Sequence, residues 1–185
     1  LMTPFALLGP RIGGVVWSVL NIAVFVYAVR CLARDVLPGN WSEARSAALM
    51  ALAIVGAMRG IWNAQSNPLV SALLMLAAAA LAREQRWRAG AMLAAAVFLK
   101  LSPIAIGVVL VALWPRRLAA PFGIALVIGA AAPFATQSPT YVWEQYVGWM
   151  QHLGATSTLR WPSFRDAWTV WELVQNPVYV PGYRA

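Results

Sequence analysis

Acidic residues are scarce in this chain. Six carboxylates stand against 14 cationic side chains in 185 residues, and charged residues of all kinds make up only 11%. A soluble domain carries about 25% charged residues, so a solvated globule is excluded. Cysteine and histidine occur once each, as Cys31 and His152. One cysteine closes no internal disulfide, and this pair cannot supply a clustered His/Cys metal site. Gly13-Gly14 makes no dinucleotide fingerprint and there is no P-loop, so neither metal nor cofactor is read from the chain. Lysine also occurs once, as Lys100; every other cation is an arginine.

What is abundant is apolar surface. Hydrophobic residues make up 61% of the chain, and the mean hydropathy is +0.66. Several runs are long enough to be membrane spans. The net charge of +8 does not point to nucleic acid, because no basic face with interleaved aromatics is present. The arginines instead sit at the ends of apolar runs: Arg30 and Arg34, then Arg83, Arg86 and Arg88, then Arg116 and Arg117. That is the positive-inside pattern. It predicts an all-α, polytopic membrane bundle with spans at about 12–33, 46–62, 67–82 and 118–135, and with these arginines in the cytoplasm.

Residues 89–114 lie between two Arg-rich loops. If both loops are cytoplasmic, the chain goes out and returns within this stretch. Each arm then has roughly 11–13 residues, where a full crossing needs about 20. The pattern predicts a short helical hairpin bent at Lys100-Leu101-Ser102-Pro103, since proline cannot continue a helical ladder. A single Pro-kinked span is the alternative. The chain divides into a transmembrane region, 1–135, and an extracytoplasmic, interfacial segment, 136–185. That tail carries Trp143, Trp149, Trp161, Trp168 and Trp171, and residues 140–153 suit an amphipathic interfacial helix.

This topology gathers polar side chains on one side. Lys100 is the sharpest signal, because an ammonium among apolar residues has a partner, a ligand or a snorkelling route to the headgroups. An anion is its natural ligand, especially beside a helix start such as the arm after Pro103, whose free N–H groups attract phosphate. Arg59, Asn63, Gln65 and Asn67 suit sugar hydroxyls or phosphate, or else simply cap helices. A triad of His152 with Asp166 and a serine has little weight. The outer carboxylates are Glu144, Asp166 and Glu172.

Two motifs then come together. "RGIWNAQSNPLVSALLMLAAAALA" and, after a short charged loop, "AGAMLAAAVFLKLSPIAIGVVLVALWPRR" resemble glycosyltransferase family 87. The family shows Gln-x-Asn near the outer end of one helix, here Gln65-Ser66-Asn67. About thirty residues later it shows Lys-Leu-(Ser/Thr)-Pro, here Lys100-Leu101-Ser102-Pro103. The opening "TPFALLGPRIGGVVW" is similar to a Pro-rich stretch of the same family, and the resemblance covers roughly residues 3–135. It implies a GT-C-type membrane enzyme that moves a sugar, often mannose, from a polyprenyl-phosphate donor to a lipid or glycan acceptor outside the cytoplasm. The setting implied is a bacterial cytoplasmic membrane. Lys100, Arg59 and Ser102 would hold the donor phosphate, and Asn63, Gln65 and Asn67 the substrate. The resemblance also places the catalytic aspartate ahead of Leu1, so the chain is expected to be an internal piece of the enzyme. The tail matches the family pattern only loosely. A transporter or flippase fragment, and a structural membrane subunit, are the competing readings.

Overall fold

The computed structural model describes residues 5, 7–39 and 41–158. Among them are seven α-helices and no strand. Helices α1 (Pro10–Asp35), α2 (Glu43–Trp62), α3 (Asn67–Ala82), α4 (Arg86–Leu99), α5 (Pro103–Leu113) and α6 (Pro115–Ala131) form one compact unit ending at Pro133. Three segments, Arg11–Asp35, Glu43–Trp62 and Pro115–Ala135, are long and apolar enough to cross a membrane. The chain is therefore a helical membrane bundle. Helices α3, α4 and α5 have 16, 14 and 11 residues. At 1.5 Å per residue they rise about 24, 21 and 16 Å, short of the ~30 Å hydrocarbon core.

Local chemistry sets the boundaries. Proline stands in the first turn of α3, α5 and α6, where its missing N–H costs nothing. Ser42 caps α2, its Oγ accepting from the Arg45 amide at 3.3 Å. The cap starts α2 ahead of the apolar run, because capping and hydropathy are separate signals. Both α2 and α3 end in a reverse turn of the same kind. The Gln65 amide donates back to Gly60 at 2.9 Å and that of Gln85 to Ala80 at 2.8 Å. Each turn needs a left-handed residue, supplied by Ala64 (φ 50°) and Glu84 (φ 60°), positions where glycine is usual.

The helices run up and down in chain order, so α1 lies parallel to α3 and α4 parallel to α6. Small residues bring them together. Ala28, Ala72, Ala77, Ala89 and Ala96 are fully buried. A Cβ on Gly90 would lie 2.6 Å from the Pro121 backbone carbon, and one on Gly107 would lie 2.6 Å from the Phe122 ring. Phe98 sits directly over Gly129. In lipid there is little hydrophobic drive between helices, so close backbone approach of this kind carries association.

One end of the bundle is ionic. Asp35 is held by Arg34 at 3.0 Å and by Arg83 at 2.6 Å, and Arg117 faces Glu84 at 3.5 Å. The Arg83–Asp35 pair ties the end of α1 to the end of α3. The Arg117 pair joins the α3–α4 turn to the start of α6.

A second unit begins at Phe134 and contains α7 (Pro139–Thr158). Within it the rings of Phe134 and Tyr146 lie 6.1 Å apart, and Trp143 and Trp149 are exposed. The segment 140–153 falls inside α7. Arg160, Trp161, Arg165, Asp166, Trp168, Trp171 and Glu172 lie outside the described residues, and with them the imagined His152–Asp166 pairing.

Candidate functional site

The other end of the six-helix unit is polar and holds no ion pair among the described residues. Helix α2 finishes at Trp62, the turn 63–66 follows, and α3 starts at Asn67. Gly60 lets the two helices abut: a Cβ there would lie 3.2 Å from Pro68 Cδ. Helix α4 returns to this end and stops at Leu99, leaving Lys100 extended (φ −154°, ψ 135°) before the break at Pro103.

Two distant pieces of sequence meet here. Lys100 Nζ donates to Asn67 Oδ1 at 3.1 Å, and Asn67 Nδ2 donates to Gln65 Oε1 at 2.8 Å. The polarity of this relay is forced. An ammonium can only donate, so the amide oxygen of Asn67 faces it. The Asn67 NH2 then faces Gln65, whose oxygen is consumed and whose own NH2 is left outward. The hydrogen atoms not used within the relay, on Lys100, Asn67 and Gln65, are all donors. No carboxylate lies within ion-pair distance of Lys100 among the described residues. A cation held by a neutral amide keeps its charge for a ligand. The arrangement suits an acceptor-rich anion such as a phosphate, or a row of hydroxyl oxygens.

The remaining sequence candidates stand nearby or apart. Arg59 is exposed in the last turn of α2, and Asn63 is the exposed C-cap of that helix. Ser102 is exposed at the N-cap of α5 and makes no side-chain capping bond. None of the three is hydrogen-bonded to the relay among the described residues. The start of α5 offers fewer free amides than its position suggests. Pro103 has no N–H, while the amides of Ile104 and Ala105 donate to the carbonyls of Leu101 and Ser102 at 3.0 and 3.3 Å. The expectation that this turn presents several N–H groups to phosphate is therefore corrected: the break closes on itself, and its donor is Lys100. Glu144 lies in α7, exposed.

One residue of the site escaped sequence reasoning. Trp17, 8% exposed in α1, donates its indole N–H to the Ala64 carbonyl at 3.0 Å. Asn21, a buried neighbour one turn on, donates to the Trp17 carbonyl at 2.8 Å. Trp17 thus holds the strained left-handed residue beside Gln65. The sole hint in the sequence is that an indole N–H inside a span needs a partner. Trp17→Phe removes that bond and keeps the ring. It is expected to lower turnover about three- to tenfold, on the order of one neutral hydrogen bond, with helicity and expression unchanged. Unaltered steady-state kinetics would show that the turn holds itself.

A helical membrane bundle with a donor-lined polar end, built from a Gln-x-Asn turn and a Lys-Leu-Ser-Pro break, is the class of protein defined by fold and site. The model of glycosyltransferase family 87 matches residues 1–173, and the chain belongs to that family. Membrane glycosyltransferase activity follows from that membership. No curated protein and no solved structure matches the chain.

Proposed function

We propose that this enzyme transfers a hexose, mannose in the first instance, from a polyprenyl-phosphate donor to a lipid or glycan acceptor on the extracytoplasmic side of the bacterial cytoplasmic membrane. The observation that carries the reading is the Lys100–Asn67–Gln65 relay: one uncompensated cation with amide donors beside it, at the end of the bundle away from the arginine cluster. Under the positive-inside rule the arginine end is cytoplasmic, and the relay then faces outward. Helices α3 and α4 are too short for a full crossing, which supports an ammonium just beneath the outer headgroup layer, from where the lysine stem reaches up toward a lipid phosphate.

The chemistry is a displacement at the anomeric carbon. The acceptor oxygen forms its bond to that carbon as the bond to the donor phosphate oxygen breaks. The acceptor proton passes to a carboxylate base, and the polyprenyl phosphate leaves with the electron pair. Lys100 meets the charge that grows on the leaving phosphate, with Arg59 as a second cation within the same polar end and Ser102 two residues along the chain from Lys100. Gln65, Asn67 and Asn63 address phosphate and sugar oxygens.

The direct test supplies membranes bearing the full-length protein with polyprenyl-phosphate-linked mannose or with a nucleotide sugar. Product from the lipid-linked donor alone is the expected result. Product from the nucleotide sugar alone overturns the reading. Asn67→Asp is the most informative variant. It adds a carboxylate against Lys100, cancels the spare charge and repels phosphate. The donor KM is expected to rise about tenfold or more, the scale of one opposite charge brought within contact distance. An unchanged KM would separate the relay from donor binding.

A further inference from the structure

The arginine end holds a second feature, unrelated to the relay. Helices α1 and α2 and the loop between them line a cavity of about 970 Å³ there. Its mouth carries Arg30 and Arg34 from α1, one turn apart on the same face, with Trp41 from the connecting loop. Its floor is Ser46, then Met50 and Ile54 of α2. The floor from Ser46 to Ile54 spans eight helical steps, about 12 Å along the axis. The cavity therefore grades from cationic to apolar over the distance between a lipid headgroup and the upper acyl chain.

The charges at the mouth do not cancel. Arg30 has no ion-pair partner among the described residues. Asp35 touches Arg34, but its other oxygen is already taken by Arg83 at 2.6 Å. Glu43 also lines the mouth and offsets one arginine, leaving a net positive site. Trp41 is the residue type that sits at the headgroup layer.

We propose that this groove is a binding site for an anionic phospholipid, its phosphate between Arg30 and Arg34 and one acyl chain laid along Met50 and Ile54. Basic pockets between spanning helices recognise anionic headgroups by this chemistry. The site lies at the end of the bundle opposite Lys100, so it is not the sugar donor's. It does not rest on the reaction proposed above.

Native mass spectrometry of the full-length protein, released from nanodiscs of equal phosphatidylglycerol and phosphatidylcholine, tests it. The wild type is expected to retain phosphatidylglycerol over phosphatidylcholine by about fivefold, the order given by the one arginine charge that Glu43 leaves over near a headgroup. Arg30→Gln/Arg34→Gln is expected to abolish that preference. Ala47→Trp fills the floor and leaves both arginines; it is expected to lower retention of either lipid, and it stands in should the double variant fail to assemble. Lys100→Gln is expected to leave retention unchanged. Equal retention of the two lipids by the wild type, or a preference that survives both groove variants, overturns the proposal. So does a preference lost only on Lys100→Gln, which would place the anionic lipid at the opposite end.

Discussion

Replacing Lys100 with alanine is expected to lower sugar transfer about 10²- to 10³-fold, the usual cost of removing one preorganised charge-stabilising donor, while insertion into the membrane is unaffected. The reasoning runs from partners to consequence. Lys100 is extended and exposed beyond the end of α4, so its loss opens no cavity. Its one side-chain hydrogen bond among the described residues goes to Asn67, itself exposed; an exposed amide freed of that contact finds water. The structure therefore loses little and the chemistry loses its cation. Lys100→Arg is expected to recover only part of the rate. A planar guanidinium keeps the charge but distributes its donors in a fixed fork, where an ammonium is a compact point. The readouts are initial rates with a lipid-phosphate-linked sugar, beside the amount of protein extracted from membranes. Wild-type transfer by the alanine variant would remove Lys100 from the site.

Gly90→Val is expected to have the opposite profile: the bundle fails to assemble, and activity is lost because folded protein is lost. A Cβ on Gly90 would lie 2.6 Å from the Pro121 carbon and 2.8 Å from the Phe122 amide nitrogen. Both are backbone atoms of α6, so no side chain can rotate away. Helices α4 and α6 must separate along their length, pulling Leu93, Ala94 and Val97 away from Leu118 and Phe122, their buried neighbours. Overpacking costs about 1–3 kcal/mol when local shifts absorb it, and more where backbone faces backbone. Thermal unfolding followed by circular dichroism should show a transition lowered by several degrees, or no folded protein at all. Gly123, where an added Cβ meets nothing within 4 Å, is the control: Gly123→Ala is expected to leave the transition where it is. A Gly90→Val protein as stable as the wild type would mean that α4 and α6 do not pack as described.

The sequence shows some of this plainly and hides the rest, for physical reasons. The all-helical membrane character follows from hydropathy alone, because lipid forces backbone groups to pair within each segment. The arginine end was visible because the positive-inside rule needs only residue type and position. The topology read from the arginines puts Asn67 and Lys100 on one side, but periodicity cannot supply the hydrogen bond between residues 33 apart. The direction of the relay emerges only from the atoms that face one another. Trp17 and Ala64 stayed hidden altogether: 47 residues separate them, and nothing in their spacing links the two. The glycine contacts were equally silent. Gly90 and Gly123 look alike in sequence, and only the path of α6 past α4 makes one of them indispensable.

The groove at the arginine end shows the same limit from the other side. Arg30 and Arg34 read in sequence as a topology signal and nothing more. The packing of α1 beside α2 makes the same two residues part of the lining of a cavity. A charge that orients a helix in the membrane can also recognise what lies beside it.

Lys100 is the one lysine in this chain, and a lysine-specific nitrogen-15 label, with the resonance assigned by its loss in Lys100→Arg, reports on its ammonium. Titration of the labelled protein with polyprenyl phosphate, against polyprenol as the uncharged match, tests the central claim most directly. A saturable shift of the Lys100 ammonium resonance with polyprenyl phosphate, absent with polyprenol and weakened by Asn67→Asp, is the result predicted. A resonance that moves equally with both lipids, or with neither, would contradict the assignment of Lys100 to the donor phosphate.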